Sequence, residues 1–90
     1  MAKLAINEVF DLVETEREFQ DHKHGPIASN PHTVGEWILI MEAELQEAKV
    51  ALIKGGKGRD SVLYEVLQVV AVGVACIEQH GMREIEKRSV

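Results

Sequence analysis

Residues 34–80, which read VGEWILIMEAELQEAKVALIK-GGKGRD-SVLYEVLQVVAVGVACIEQH, decide the fold. Apolar residues recur at helical spacing through Val34–Lys54 and run almost unbroken through Ser61–His80. A run of this length without a turn signal favours a helix over a strand. Gly55-Gly56-Lys57-Gly58 separates the two segments, and glycine readily ends a helix. The sequence therefore predicts an antiparallel hairpin of two helices.

The ends of this hairpin carry their own signals. Thr33 and Glu36 form a capping box, in which each side chain bonds a first-turn amide of the other residue. Gly55 is a good C-cap for the first helix, and Asp60 or Ser61 can cap the second. These signals place the helices at about residues 34–54 and 61–80.

The hairpin carries four oxygen-bearing side chains in two pairs three residues apart: Glu44 with Glu47, and Glu65 with Gln68. Residues three apart share a helix face. In an antiparallel hairpin, positions with a constant index sum lie at the same height, and 44 + 68 and 47 + 65 both equal 112. The four groups are therefore predicted to meet in one layer and to bind a metal ion.

The surroundings of Glu44 strengthen this interpretation. On a helical wheel Glu44 falls within the apolar stripe that contains Trp37, Met41 and Ala48, and Glu47 falls on its edge. A buried carboxylate without a partner is very costly. A metal ion would supply that partner; the alternatives are a Lys or Arg from elsewhere, or a side chain that reaches solvent.

The second helix is apolar on all sides, and Gln68 is the one polar side chain from Val66 to Ile77. Such a pattern is typical of a helix that is buried all round. The segment is read as too short and too interrupted to span a bilayer. Its polar residues lie within about 60° on the wheel, which indicates hydrogen bonding or ligation; they are Ser61, Glu65, Gln68 and Gln79.

Composition predicts one domain that assembles with copies of itself. Ninety residues bury only about 60–65% of their unfolded surface, while 46% of them are hydrophobic. Oligomerisation into a larger helical bundle would supply the missing burial. A net charge of −5 argues against binding to nucleic acid or to an anionic membrane.

Cysteine and histidine add little chemistry. Cys76 lies in the apolar run and is predicted to be a buried thiol. With no disulfide framework and no signal peptide, the chain is expected to be cytoplasmic. His22, His24 and His32 lack the spacing of a zinc motif and are interpreted as solvent-facing or substrate-edge residues.

The remaining parts of the chain frame the hairpin. An amphipathic helix is predicted over about Ile6–Gln20, followed by a loop over 21–33 marked by Pro26 and by Ser29-Asn30-Pro31. A charged tail over 82–90 is expected to fray. The fold class is thus all-α: an N-terminal helix and an antiparallel hairpin in one domain spanning 1–90.

Residues 14–81 resemble the MazG-like branch of the all-α nucleoside triphosphate pyrophosphatases. The family signature, EExxE followed by ExxD on consecutive helices, stands here as Ala43-Glu44-Leu-Gln-Glu47 and Glu65-Val-Leu-Gln68. Upstream, Glu16-Arg17-Glu18-Phe19-Gln20…Gly25 is similar to the ERxxQ…G stretch of small MazG-like proteins. Ala43 and Gln68 depart from the pattern, and a neutral amide at the Asp position lowers the affinity for Mg²⁺.

The resemblance implies a helical homodimer or homotetramer that hydrolyses a nucleoside triphosphate to the monophosphate and pyrophosphate with Mg²⁺, or with Mn²⁺. It further implies a housecleaning type of activity. Carried over residue by residue, the metal ligands would be Glu44, Glu47, Glu65 and Gln68. Glu47 would also orient or deprotonate the attacking water.

Substrate contacts are expected from two places. Arg17 and Gln20 share a helix face, and arginine suits a bidentate bond to phosphate or carboxylate; the alternative is an exposed salt bridge to Glu14 or Asp21. The glycine-rich loop is not a P-loop. Its basic cluster would either steady the phosphates or serve solubility; it comprises Lys54, Lys57 and Arg59. The competing interpretation of the whole chain is a non-catalytic helical oligomer for nucleotide binding or protein interaction.

Overall fold

The structure, a computed structural model, describes residues 3–58 and 61–81. It contains three α-helices: α1 (Ile6–His24), α2 (Val34–Lys54) and α3 (Val62–His80). A 3-10 turn at Ile27–Ser29 lies between α1 and α2, and the described residues form no strand. The all-helical class is confirmed. The predicted tail over 82–90 lies outside the described residues.

Helix α2 begins and ends at the predicted residues because its caps are local. Thr33 Oγ1 accepts from the Glu36 amide at 3.0 Å, and the Glu36 carboxylate accepts from the Thr33 amide at 2.8 Å. The hydrogen bond from the Thr33 amide to the Glu36 carboxylate, followed by the interaction of this carboxylate with the Thr33 side chain, holds the pKa of Glu36 below its ordinary value. At the other end, Gly55 adopts the left-handed conformation with φ 68°, which glycine tolerates.

Helix α3 takes Ser61 as its N-cap, since Ser61 Oγ accepts from the Tyr64 amide at 3.0 Å. Helix α1 extends four residues beyond the predicted Gln20 and ends before Gly25, whose φ is 86°. The last turn of α1 contains His22, Lys23 and His24. Basic side chains in the last turn interact favourably with the partial negative charge of the helix C-terminus. The predicted loop over 21–33 is shortened accordingly.

Helix α3 is the centre of the packing, because it contacts both α1 and α2. Its Val72 and Ala75 form the core with Trp37 of α2. Cys76 packs against this core but is only half-buried, so its thiol is less enclosed than the predicted buried thiol. A Cβ at Gly73 would lie 3.3 Å from Met41 Cε, so the glycine leaves room for the end of the Met41 side chain.

The prediction that α3 is buried on all sides is wrong for the single chain. Leu63 and Ile77 are 77% and 51% exposed, and Val66 and Val70 are exposed as well. Within the described part of one chain, only two other helices can cover α3, too few to surround it. The length argument against a bilayer span also fails: α3 has 19 residues and a mean hydropathy of 1.5, enough to cross a membrane by length and composition alone.

Candidate metal centre

Three carboxylates meet between α2 and α3. One oxygen from each of Glu44, Glu47 and Glu65 lies within 4.8 Å of the other two. Helix α2 supplies Glu44 and Glu47 from neighbouring turns, and α3 supplies Glu65 from its first turn. The constant index sum thus anticipated their juxtaposition, because the hairpin is antiparallel and its short loop fixes the register.

The three carboxylates differ in their exposure to solvent. Glu44 and Glu65 are half-buried, whereas Glu47 is exposed. The two half-buried groups have lost part of their hydration, and the exposed one retains access to bulk water. This gradient leaves an open side on which a metal ion could keep water or phosphate ligands.

Partial burial and mutual repulsion together determine the electrostatics of the cluster. Partial burial, followed by the charge of Glu47 and a hydrogen bond with it and by the charge of Glu65, raises the pKa of Glu44 to about 7. Lys23 opposes this shift but does not cancel it. A carboxyl group whose pKa is raised by burial and like charges is in a place that would favour a cation.

The donor set fits a hard divalent cation. Mg²⁺ prefers oxygen ligands and usually binds one or two carboxylates together with water and substrate phosphates. Carboxylates at this spacing offer such oxygens, and burial together with the charges of Glu47 and Glu65 raises the pKa of Glu44. Among the described residues, no group containing histidine or cysteine forms a comparable cluster.

A cavity of about 560 Å³ lies against the carboxylates. Its acidic side is formed by Glu44, Glu47 and Glu65. Its other walls combine basic, aromatic and polar side chains from α1, the following loop and α2; these include Phe19, Lys23, His24, Asn30, His32 and Trp37. The cavity can therefore admit a ligand with both a charged and an apolar part.

Gln68 lines this cavity, but it is engaged by α1. Its Oε1 accepts from Gln20 Nε2 at 3.4 Å, while its Nε2 is buried and has no hydrogen-bond partner. Gln68 was expected to be a metal ligand; an alternative role for its amide is to donate hydrogen bonds that bridge Glu44 and Glu65. Since Nε2 has no partner, no such bridge is formed.

Arg17 is one of the most buried polar residues described, at 6% exposure. Its Nε donates to Glu78 Oε1 at 2.7 Å, its Nη1 to Gln20 Oε1 at 3.3 Å, and its Nη2 lies 2.9 Å from Asp21 Oδ1. Burial lowers the Arg17 pKa, but Glu78 and Asp21 raise it more, so the net shift is upward. Arg17 is therefore not the exposed surface ion pair that was the alternative, although its contact with Asp21 is formed.

The residues that were expected to contact phosphate do not all lie at the same cavity. Arg17 and Gln20 both line the cavity beside the three carboxylates. Lys54 lies instead beside a second cavity of about 530 Å³, which also contains Glu47 and Glu65. Lys57 is exposed and lines neither cavity. Arg59 lies outside the described residues.

Sequence reasoning missed the contacts that close the cavity at the far end of α3. Gln79 Oε1 accepts from the His32 amide at 3.0 Å and from Trp37 Nε1 at 2.9 Å. The rings of His32 and Trp37 meet edge to face with centroids 4.7 Å apart. Only the position of Gln79 in the polar stripe of α3 signalled a hydrogen-bonding role.

A second missed contact lies where α1 crosses α3. Glu16 is buried at 8% exposure, and its Oε1 accepts from the Tyr64 hydroxyl at 3.5 Å. Nothing in the sequence indicated that this carboxylate faces inward, because α1 carries acidic residues on several sides.

Comparisons with protein-family models, with curated proteins and with solved structures gave no match to this chain.

Proposed function

We propose that the protein is a Mg²⁺-dependent nucleoside triphosphate pyrophosphohydrolase that forms a monophosphate and pyrophosphate. The observation that carries this proposal is the convergence of Glu44, Glu47 and Glu65 beside a cavity of about 560 Å³. The MazG-like pattern in the sequence, with its family activity, supplies the reaction class.

In this proposal the three carboxylates have different roles, which follow from their exposure to solvent. Glu44 and Glu65 are half-buried and hold the metal ion, which when bound neutralises phosphate charge and activates water. Glu47 is exposed, so it can contact both the ion and a water molecule and can take a proton from that water. The aromatic and apolar end of the cavity would receive the base.

Assembly with further copies is part of the proposal. Leu63, Val66, Val70 and Ile77 are exposed and follow one another at spacings of three, four and seven residues. These spacings place them on one face of α3, which a homodimer or homotetramer would cover. A second copy is favoured because the four side chains form a continuous apolar stripe, of the kind that helices bury against each other.

Gln68 favours a second candidate, a non-catalytic helical module that binds nucleotides or proteins. It carries an amide in place of a fourth carboxylate, and its Oε1 already accepts from Gln20, so this oxygen is not free to bind a metal ion. The two candidates share the fold and the cavity, and they differ in whether phosphate bonds are broken.

Release of pyrophosphate from a panel of nucleoside triphosphates, with and without Mg²⁺ or Mn²⁺, tests the proposal. The wild type should release pyrophosphate only with a divalent ion, and the Glu44→Gln, Glu65→Gln double variant should be inactive. Glu14→Gln with Glu42→Gln is the matched control, since both residues are exposed and lie outside the cluster.

Metal binding is tested separately by calorimetry. The double variant should bind Mg²⁺ or Mn²⁺ more weakly than the wild type and the control. Equal binding by all three proteins, or none by the wild type even with nucleotide, would overturn the metal site. Metal-dependent nucleotide binding without pyrophosphate release would leave the non-catalytic module as the function.

A further inference from the structure

A chain of hydrogen bonds runs from α1 to the wall of the cavity. Arg17 Nη1 donates to Gln20 Oε1 at 3.3 Å, and Gln20 Nε2 donates to Gln68 Oε1 at 3.4 Å. Arg17 is also anchored by Glu78, whose Oε1 is 2.7 Å from its Nε. Both glutamines line the cavity beside the three carboxylates.

The direction of this chain is fixed by chemistry. A guanidinium group has only donors, whereas a glutamine amide has a donor end and an acceptor end. Gln20 must therefore turn its oxygen to Arg17, which leaves its nitrogen for Gln68. Gln68 must in turn offer its oxygen to Gln20. Reversing Gln20 alone would place donors face to face at Arg17.

This orientation leaves the amide nitrogen of Gln68 at the end of the chain of hydrogen bonds. Gln68 Nε2 is buried and has no partner among the described residues. A buried amide donor without an acceptor is costly, and such groups are rare. Because the terminal torsion of glutamine is broad, rotation of the amide can direct this nitrogen to a ligand in the cavity that Gln68 lines.

We propose that Gln68 is a hydrogen-bond donor to an anionic oxygen of a ligand in this cavity, and that Arg17 and Gln20 are positioning residues that fix its orientation. The inference rests on the proposed function for the identity of that ligand, a phosphate oxygen beside a divalent ion. It differs from the metal-ligand interpretation of Gln68, which requires the amide oxygen, not the nitrogen, to face the carboxylates.

Gln68→Met removes both ends of the amide at similar length. Calorimetry would follow Mn²⁺ alone and then inorganic pyrophosphate in saturating Mg²⁺. The donor role predicts unchanged Mn²⁺ affinity and a loss of pyrophosphate affinity of about tenfold or more, as for one hydrogen bond to a charged oxygen. Weaker Mn²⁺ binding would overturn the proposal in favour of ligation. Unchanged pyrophosphate affinity, or no pyrophosphate binding by the wild type, would also overturn it.

Gln20→Glu tests the positioning role without altering Gln68. A carboxylate can accept from Arg17 but cannot donate to Gln68, so the Gln68 amide should turn over and offer its oxygen to the cavity. Pyrophosphate affinity should fall and Mn²⁺ affinity should rise. Asn30→Asp is the control for charge, because it adds one carboxylate to the cavity wall outside this chain of bonds. Equal effects of the two variants would overturn the positioning role.

The side-chain amide signals of Gln68 give a readout that does not depend on affinity. They are assigned in a ¹⁵N spectrum by their loss in Gln68→Met. Addition of pyrophosphate with Mg²⁺ should shift them in the wild type but not in Gln20→Glu; an unshifted wild-type signal would overturn the donor role. If these results hold while no nucleotide is hydrolysed, the proposed function fails and the donor role stands. Hydrolysis with an unaffected Gln68→Met variant gives the reverse conclusion.

Discussion

Gln79 binds the backbone of His32 through both ends of its amide. Its Nε2 donates to the His32 carbonyl oxygen at 2.6 Å, and its Oε1 accepts from the His32 amide at 3.0 Å. The same oxygen accepts from Trp37 Nε1, so one side chain at the end of α3 ties the loop before α2 to the core. This contact sets the position of the His32 ring at the cavity.

We expect Gln79→Met to lower the free energy of unfolding by about 1–3 kcal/mol. The substitution removes the hydrogen-bond partner of the His32 backbone and of the Trp37 indole nitrogen. Denaturant unfolding monitored by Trp37 fluorescence measures the change. Gln46→Met is the control, since Gln46 is exposed on α2. Equal losses in the two variants would contradict a specific role for Gln79.

Metal binding should depend on pH through Glu44. Its pKa is raised to about 7 by partial burial and by its carboxylate neighbours, and a metal ligand must be deprotonated. The apparent Mn²⁺ affinity should therefore fall about tenfold between about pH 8 and about pH 6. Calorimetric titrations across this range check the prediction. A flat profile would show that Glu44 carries no proton in this range or does not bind the ion.

The same group should make the metal-free protein less stable as the pH rises. The native state keeps the Glu44 proton up to about pH 7, whereas the unfolded chain releases it near 4.5. The protonated Glu44 therefore contributes its full stabilisation below pH 4.5, and this stabilisation is lost as the pH rises through about 7. Unfolding in chelator should show a smaller loss for Glu44→Gln, which cannot titrate. Identical slopes for the two proteins would contradict the shifted pKa.

Arg17→Ala should lower the free energy of unfolding by about 1–2 kcal/mol, because it removes the hydrogen bonds from Arg17 to Glu78 and Gln20. The loss is limited because Glu78 and Gln20 are partly solvated. Arg17→Lys should recover part of this loss, because lysine keeps the charge but not the planar fork. Thermal melts and nucleotide binding measure both variants. Unchanged values in both assays for Arg17→Ala would mean that the buried contacts contribute nothing.

The exposed stripe of α3 should mediate assembly. We expect the wild type to be a dimer or larger at micromolar concentration, and Val70→Glu to dissociate it, because a charge would be buried in an apolar interface. Light scattering measures the mass. Glu42→Gln on the exposed polar face of α2 is the control. A folded wild-type monomer under these conditions would rule out the interface.

The parts of the fold that the sequence predicted are those set by nearby residues. Thr33 and Gly55 fix α2 through contacts within one turn, and the short loop fixes the register that joins Glu44 to Glu65. The end of α1 was missed because Gln20 is followed by polar residues that suit either a loop or a helical last turn. The deciding signal was Gly25, at which the helix ends.

The contacts of α1 could not be predicted for a different reason. The burial of Arg17 and Glu16 depends on the path of α1 across α3, and many paths satisfy its weak amphipathic pattern. Gln79 was recognised as part of a polar stripe, but its partner His32 lies 47 residues away. Long-range partners of this kind follow from packing, which no local spacing specifies.

The separation along the chain between α1 and its partners has a consequence for the order of folding. The α2–α3 hairpin is closed by a short loop, whereas Arg17 and Gln20 reach partners 61 and 48 residues away. Local contacts form sooner, so the hairpin and its three carboxylates should assemble before α1 docks. Hydrogen exchange should then show α1 amides opening at lower free energy than those of α2. Since α1 forms part of the cavity wall, its detachment would open a path by which a ligand enters the cavity.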